Sequence, residues 1–186
     1  MNPLAAYGLL AHGLIFGALV TLLPLGFLRA RAGLAATALA LLVGIAPTLH
    51  AAFGPPSITL LALGLLQLFN PEQASPLTRP AALALLLPGT ALYVLSLSGL
   101  AVDPYAVGYQ PAPLLTALLA IGLVLWWRRH FIWLAILAAD LLAYASGVFS
   151  NLWDVLIDPL LLLAAMSLLL RPLSGRLARL IAPGRR

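Results

Sequence analysis

The chain has 186 residues, of which 63% are hydrophobic and only 8% are charged, and its mean hydropathy is +1.07. A soluble domain carries about 25% charged residues, so this composition excludes a water-facing globule and indicates a protein whose solvent is lipid. The absence of cysteine and lysine excludes disulfides, cysteine-ligated metals and lysine Schiff bases, and the ten arginines stand in short clusters between apolar runs, which argues against nucleic-acid binding.

Seven apolar runs follow one another along the chain, and we predict that each crosses a bilayer as a helix. A spanning helix needs about 17–25 residues, and the third and fifth runs are short. Prolines inside the runs predict kinks, and Pro88-Gly89 is the strongest candidate for a hinge. The runs are 3–28, 33–53, 55–69, 81–102, 113–127, 131–149 and 151–170.

The positions of the arginines test this number of spans. They follow the first, third, fifth and seventh runs, and the connections after the second, fourth and sixth runs carry none: Arg29, Arg31, Arg79, Arg128, Arg129, Arg171, Arg176, Arg179, Arg185 and Arg186. With seven crossings every arginine falls on one side, which the positive-inside rule identifies as the cytoplasm. We therefore predict an all-α bundle of about seven transmembrane helices in the bacterial cytoplasmic (inner) membrane, with the N-terminus outside and the C-terminus cytoplasmic.

The chain is predicted to form one domain. Residues 1–171 make up the transmembrane bundle, and residues 172–186 form a short basic amphipathic tail on the anionic inner leaflet. The first run is longer than the apolar core of a cleaved signal peptide, so we expect it to be the first span. Gly54-Pro55-Pro56-Ser57 is expected to be a tight turn at the outer surface.

Three of the five acidic residues lie in the hairpin of the last two runs. Asp140 and Asp158 are each nine residues from Phe149, which puts both about 13 Å below the outer turn, near the middle of the bilayer. Tyr144 follows Asp140, and Asp158 follows Asp154, at the i,i+4 spacing of one helix face. We predict that these side chains form a ladder, in which two close carboxylates resist ionising together.

Such a ladder suits a proton relay or a cation site lined by oxygen ligands. The structural alternative is that a protonated aspartate joins helices as packing glue, and that Asn151 and Asp154 cap the start of the last span. Glu72 and Asp103 are expected to be solvated, with a supporting role for Asp103 and Asn151 at the outer end of the cluster as the alternative.

Two histidines could join this cluster. His12 lies near mid-membrane in the first run, and His50 lies three residues from the outer end of the second. His12 could accept a proton or bind a metal, or it could donate to a backbone carbonyl where Gly8 and Gly13 allow close helix packing. A b-type haem would need facing histidines, but these two are expected to differ in depth by about 6–8 Å. The sequence therefore specifies no cofactor and leaves the metal open.

Three functions fit these features. The first is transport of a small solute or cation, or proton coupling, through a cluster that faces the periplasm. The second is a non-catalytic subunit or assembly partner of a larger membrane complex. The third is a small membrane-embedded, metal-dependent enzyme that uses His12 with Asp140 and Asp158. Hydrolase and nucleotide-binding motifs are missing from the sequence, so we favour transport. The expected partners are the lipid bilayer and either other membrane proteins or further copies of the chain.

Overall fold

The computed structural model describes the backbone of residues 2–99 and 103–181, and the side chains of these residues up to Leu170. Every regular element in the described ranges is helical, which confirms the all-α prediction. The described residues form two 3₁₀ turns, Gly26–Leu28 and Pro104–Gly108, and nine α-helices: α1 Pro3–Val20, α2 Arg29–Leu42, α3 Ile45–Phe53, α4 Ile58–Phe69, α5 Arg79–Leu97, α6 Ala112–Trp127, α7 Phe131–Ala145, α8 Leu152–Leu156 and α9 Pro159–Ile181.

Two of these helices, α1 and α5, are long and apolar enough to cross a membrane. The bent pair formed by Gly26–Leu42 and α3 would make a third span if it crosses as one unit. Helices α4, α6 and α7 are shorter and apolar. The structure is thus compatible with a membrane location.

The second predicted run is not one helix. It breaks at Val43–Gly44, and the two parts are bent by 74°. Gly44 has a φ of 84°, in the left-handed region that glycine adopts without a steric penalty. Pro47, the third residue of α3, has no N–H to bond to the carbonyl of Val43. The kink predicted within residues 33–53 is therefore a full break between two helices, and it precedes Pro47 by three residues.

The last predicted run is also divided. Ile157 is extended, with φ −140° and ψ 133°, and α9 begins at Pro159. A residue before proline is pushed out of the helical region, and proline itself suits the first position of a helix. Asp154 and Asp158 consequently belong to different helices, so the prediction that they share one helix face is wrong.

Several other helix boundaries differ from the predicted runs. Helix α1 ends at Val20 instead of residue 28, with Pro24 in the connection that follows. Pro88 stays inside a continuous α5, where Gly89 packs against Leu162. Helix α9 continues past Leu170 to Ile181, so the backbone of the predicted tail is helical at its start. The side chains of that tail, and residues 182–186, lie outside the described residues.

Glycines bring α1 close to its neighbours. Gly13 packs against Leu41, and Gly17 packs against Thr37 and Gly33, so α1 and α2 run antiparallel. Small residues of this kind let helix backbones approach in a bundle. Two residues of α1 also pack near Gly64 of α4.

Helix α4 runs parallel to α1. Its Gly64 lies near Ile15 and Ala18, and near its end the Gln67 side chain donates to Thr21 Oγ1 at 3.3 Å. The start of α4 therefore lies beside the middle of α1, and α4 extends only toward the end of the bundle that carries Arg29. We call this end the Arg29 end.

Helix α9 begins at a similar level. Gly89, the eleventh of the 19 residues of α5, packs against Ile157 and Leu162 at the start of α9. Leu161 of α9 is fully buried in an apolar cluster with Ile15, Leu60, Leu63 and Ile136. The starts of α4 and α9 thus meet in the middle of the bundle, and this junction positions the candidate site.

Candidate functional site

One carboxylate caps both helices that begin in the middle of the bundle. Asp158 Oδ1 accepts from the backbone N–H groups of Leu160 at 2.7 Å and Leu161 at 3.0 Å, at the start of α9. Its Oδ2 accepts from the backbone N–H of Ser57 at 2.8 Å and from the Ser57 hydroxyl at 2.5 Å. Ser57 Oγ in turn accepts from the N–H of Leu60 at 3.1 Å, and so caps α4.

Hydrogen-bond donors surround the buried carboxyl group of Asp158. Asp158 is 5% exposed and Ser57 is fully buried. Four donors point at the Asp158 oxygens, and charge-assisted bonds of this kind are roughly twice as strong as neutral ones. The carboxylate also lies at the positive end of two helix dipoles. Asp158 therefore joins α4 to α9 through these four hydrogen bonds.

Asp140 lies close by but in a different environment. Its Oδ2 accepts from Thr59 Oγ1 at 2.9 Å, two residues after Ser57 on the chain. Its Oδ1 is buried without a hydrogen-bond partner, and the side chain is only 2% exposed. A buried, unpaired charge is costly, so this environment favours the protonated acid. Asp140 and Asp158 thus lie at the same junction, as predicted, where Asp140 bonds to Thr59 and Asp158 bonds to Ser57.

His12 lies at the same level. It is the tenth of the 18 residues of α1, it is fully buried, and its Nε2 lies 2.9 Å from the carbonyl oxygen of Gly54. Tyr7 donates its hydroxyl to the carbonyl of Pro56 at 2.8 Å. The segment 54–57 therefore runs alongside the middle of α1. The prediction of a tight turn at the outer end of the bundle is wrong, because α4 begins only after this segment has reached that level.

His50 is a neighbour of His12. The two ring centroids are 6.0 Å apart, and the His50 ring lies over Gly8, four residues before His12. The bend at Gly44 turns α3 across α1 and so brings the two rings together, at a separation compatible with the expected difference in depth of about 6–8 Å. Nδ1 of each histidine is buried without a hydrogen-bond partner.

Asp154 belongs to a separate polar group. It accepts from the hydroxyl of Tyr105 at 2.7 Å, and Trp153 Nε1 donates to the carbonyl of Pro104 at 3.0 Å. Burial raises the pKa of the Tyr105 phenol, and its hydrogen bond to Asp154 adds to this. These contacts fasten the Pro104–Gly108 turn to α8, so Asp154 does not continue a ladder from Asp158.

Asn151 supports the same connection. Its Oδ1 accepts from the N–H of Trp153 at 2.9 Å, which confirms that it caps α8. Its Nδ2 donates to the carbonyl of Tyr105 at 3.1 Å. Gly108 packs directly against Asn151 Oδ1, where a Cβ would not fit. Asn151 is fully buried and therefore has a structural role at this contact.

Two other predicted residues lie away from the junction. Tyr144 packs, half-buried, against an apolar cluster that includes Leu114, Leu152 and Ile157. Asp103 is exposed and accepts from the N–H of Tyr105 at 2.9 Å, at the start of the Pro104–Gly108 turn. Neither residue is brought to the Asp140–Asp158 junction.

The sequence analysis missed four residues that make these contacts: Tyr7, Ser57, Thr59 and Tyr105. Ser57 carried a signal, because a serine before an apolar helical segment is a typical N-cap. Thr59 follows two residues later. For Tyr7 and Tyr105 we find no sequence signal, since both bond to groups more than 40 positions away along the chain.

No group of three or more His, Asp or Glu side chains among the described residues is placed to hold a metal ion. His12, Asp140 and Asp158 are therefore not assembled as a three-residue ligand set. A surface depression of about 570 Å³ lies elsewhere, next to the Pro104–Gly108 turn, and is lined by Val107, Gln110 and their neighbours. None of the predicted acids lines it.

No protein-family model, curated protein or solved structure matches this chain.

Proposed function

We propose that the chain is a multi-pass protein of the bacterial inner membrane that transports protons, or a small solute or cation coupled to protons, and that Asp140 is the residue that binds and releases the proton. Seven segments cross the membrane in this proposal, with the N-terminus outside: α1, α2 with α3, the extended residues 54–57 with α4, α5, α6, α7, and α8 with α9. The arginine distribution supports it, because each arginine-bearing connection then falls on the cytoplasmic side.

The unequal environment of the two buried acids carries the proposal. Asp158 accepts four hydrogen bonds, so both of its oxygens have partners within the bundle. Asp140 accepts one, from Thr59, and its second oxygen is buried without a partner. Ionisable residues inside a membrane are rare and typically serve ion or proton pathways. Asp140 is the acid whose state can change.

The discontinuous helices support a binding role for this level of the bundle. In many secondary transporters, broken helices place their N-terminal ends and unwound backbone near the bilayer midplane, where the substrate or coupling ion binds. Here α4 and α9 start at the junction. The extended residues 54–57 and Ile157 supply unwound backbone beside it.

The hydroxyl of Thr59 allows both states of Asp140. A threonine hydroxyl can donate to an ionised carboxylate and can accept from a protonated one. The ionised state leaves a buried negative charge that calls for a cation or a new proton. In this mechanism Asp140 gains a proton from one side of the membrane and releases it to the other, while Asp158 keeps α4 and α9 joined.

Proton flux into liposomes that contain the purified chain and an enclosed pH-sensitive dye tests this proposal. We expect a flux driven by a pH gradient or a membrane potential, and we expect Asp140→Asn to abolish it while the variant still purifies as a folded protein. Glu72→Gln is the matched control, because it makes the same chemical change at an exposed loop residue, and it should keep the wild-type flux.

Two results would contradict the proposal. Wild-type flux in Asp140→Asn would remove the residue from the pathway. A wild-type chain without flux under any applied gradient would exclude a self-contained proton transporter and would direct attention to the alternative of a subunit that works only with partners.

A further inference from the structure

We propose that His12 and His50 form a two-coordinate binding site for a cuprous ion, Cu⁺. The site is distinct from the proton-binding role of Asp140 and does not depend on it. Three observations support it: the hydrogen bond on the far side of the His12 ring, the glycine that receives the His50 ring, and the distance between the rings.

The His12 ring has a fixed tautomer with a free lone pair. Its Nε2 lies 2.9 Å from the carbonyl oxygen of Gly54. A carbonyl oxygen only accepts, so Nε2 carries the hydrogen and Nδ1 of the neutral ring is unprotonated. That Nδ1 is buried and has no hydrogen-bond partner, in a side chain that is fully buried. Histidines that bind metals almost always donate their other ring N–H in this way, which orients the ring and increases its basicity.

Gly8 holds the second ring in place. A Cβ at Gly8 would collide with Cε1 and Nδ1 of His50, so only glycine lets this ring enter the contact between α1 and α3. The His12 side chain is on the same helix face four residues later, and helical side chains lean toward the preceding turn. Both rings therefore project into the same place. His50 is only partly buried, so an ion can approach from its side.

The spacing of the rings suits one bridging ion with a linear geometry. Metal–imidazole bonds are about 2.0–2.1 Å long, so two nitrogens on opposite sides of an ion lie about 4 Å apart and the centroids of their rings about 6 Å apart. The observed separation of the centroids is 6.0 Å. The two Nδ1 atoms make no direct hydrogen bond, as two ligands of a shared ion would not.

Two imidazole ligands in an apolar environment favour Cu⁺ over divalent metal ions. Structural Zn²⁺ sites almost always have four ligands, whereas Cu⁺ is stable with two nitrogens in a line. A single positive charge is also less costly to bury than a double one. The chemistry of the pair thus matches Cu⁺ better than a divalent ion.

Anaerobic titration of the purified full chain with Cu⁺, in competition with a chromophoric Cu⁺ chelator, tests this site. We expect one Cu⁺ per chain, and X-ray absorption of the loaded wild-type protein should show two nitrogen ligands at about 2 Å. His12→Gln and His50→Gln should each lose the bound ion. Gly8→Ala keeps both ligands but displaces the His50 ring, so we expect it to weaken binding by at least tenfold. His130→Gln is the matched control, because this histidine is exposed, and its binding should equal that of the wild type.

Several results would overturn the assignment. These are retention of all Cu⁺ by the chelator, four ligands in the absorption spectrum, and displacement of Cu⁺ by Zn²⁺ at equal concentration. Unchanged binding in a folded His12→Gln variant would also refute it. Loss of Cu⁺ binding with normal proton flux, or the reverse, would separate this site from the role of Asp140.

Discussion

Removing one oxygen atom, in Ser57→Ala, tests the connection between α4 and α9. This atom makes two buried hydrogen bonds, to Asp158 Oδ2 at 2.5 Å and from the N–H of Leu60 at 3.1 Å. A hydrogen bond to a charged group contributes about 1.5–3 kcal/mol, and an N-cap contributes about 1 kcal/mol. Because Ser57 is fully buried, water does not replace the lost partner. We expect the free energy of unfolding to fall by about 2.5–4 kcal/mol.

Reversible unfolding in mixed detergent micelles, followed by tryptophan fluorescence, measures this change. Ser167→Ala on α9 is the matched control. Ser167 is exposed, and its hydroxyl bonds only to the carbonyl of Ala164 in its own helix, so its loss should change the free energy by no more than about 0.5 kcal/mol. A cost below about 1 kcal/mol for Ser57→Ala would refute the view that this hydroxyl joins the two helices.

A double-mutant cycle with Asp158→Asn identifies the partner. Asparagine keeps the shape of the side chain, but it removes the charge and directs an N–H₂ group at one of the two donor pairs. If Ser57 and Asp158 act through one hydrogen bond, the two substitutions together should cost less than the sum of their separate costs, by about 0.5–3 kcal/mol. Simple additivity would show that the serine acts only as a cap of α4.

Three further substitutions test local features of the fold. Arg129 has a φ of 57° just after the end of α6, where glycine is usual. Arg129→Gly should therefore stabilise the protein by about 0.5–1 kcal/mol and raise its melting temperature. Arg128→Gly is the control, because this position has right-handed φ and ψ, and it should not raise the melting temperature. Gly44→Ala should destabilise it by about 1–2 kcal/mol through the backbone alone, because a Cβ there meets open space. Tyr105→Phe should cost about 1 kcal/mol through the lost bond to Asp154. The pKa of Tyr105 is raised in the folded protein. The stabilisation by its hydrogen bond to Asp154 should therefore be lost from the wild type as the pH rises above about 10, whereas Tyr105→Phe has no such bond to lose. Denaturation at several pH values would detect this difference.

The sequence predicted the position of the helices better than their continuity. Each of the nine α-helices among the described residues overlaps one of the seven apolar runs, because hydrophobic length is a strong signal in lipid. Asp140 and Asp158 were predicted at the same level by counting residues from Phe149, and they do meet the same junction, at Thr59 and Ser57. Hydropathy averages over many residues, so it could not detect breaks of one or two residues at Gly44 and Ile157.

The hydrogen-bond partners of the aspartates could not be predicted from the sequence either. The ladder hypothesis assumed that Asp154 and Asp158 share a helix, and the break before Pro159 separates them. Asp154 instead bonds to Tyr105, 49 positions away. Such a pairing depends on how the Pro104–Gly108 turn folds back on α8. No periodicity within either segment encodes that arrangement.

The starts of α4 and α9 at the junction nevertheless have a common physical origin. A helix that starts inside an apolar bundle leaves N–H groups that water does not reach, and lipid offers no acceptor. A polar side chain must therefore occupy the cap position: Ser57 before α4 and Asp158 before α9. Both stand beside prolines, which end the preceding segment or begin the next helix. A capping residue next to proline inside an apolar run thus indicates the start of a half-length helix. When two such helices start side by side, one carboxylate can bond to both starts, as Asp158 does. The neighbouring Asp140 keeps one oxygen without a hydrogen-bond partner.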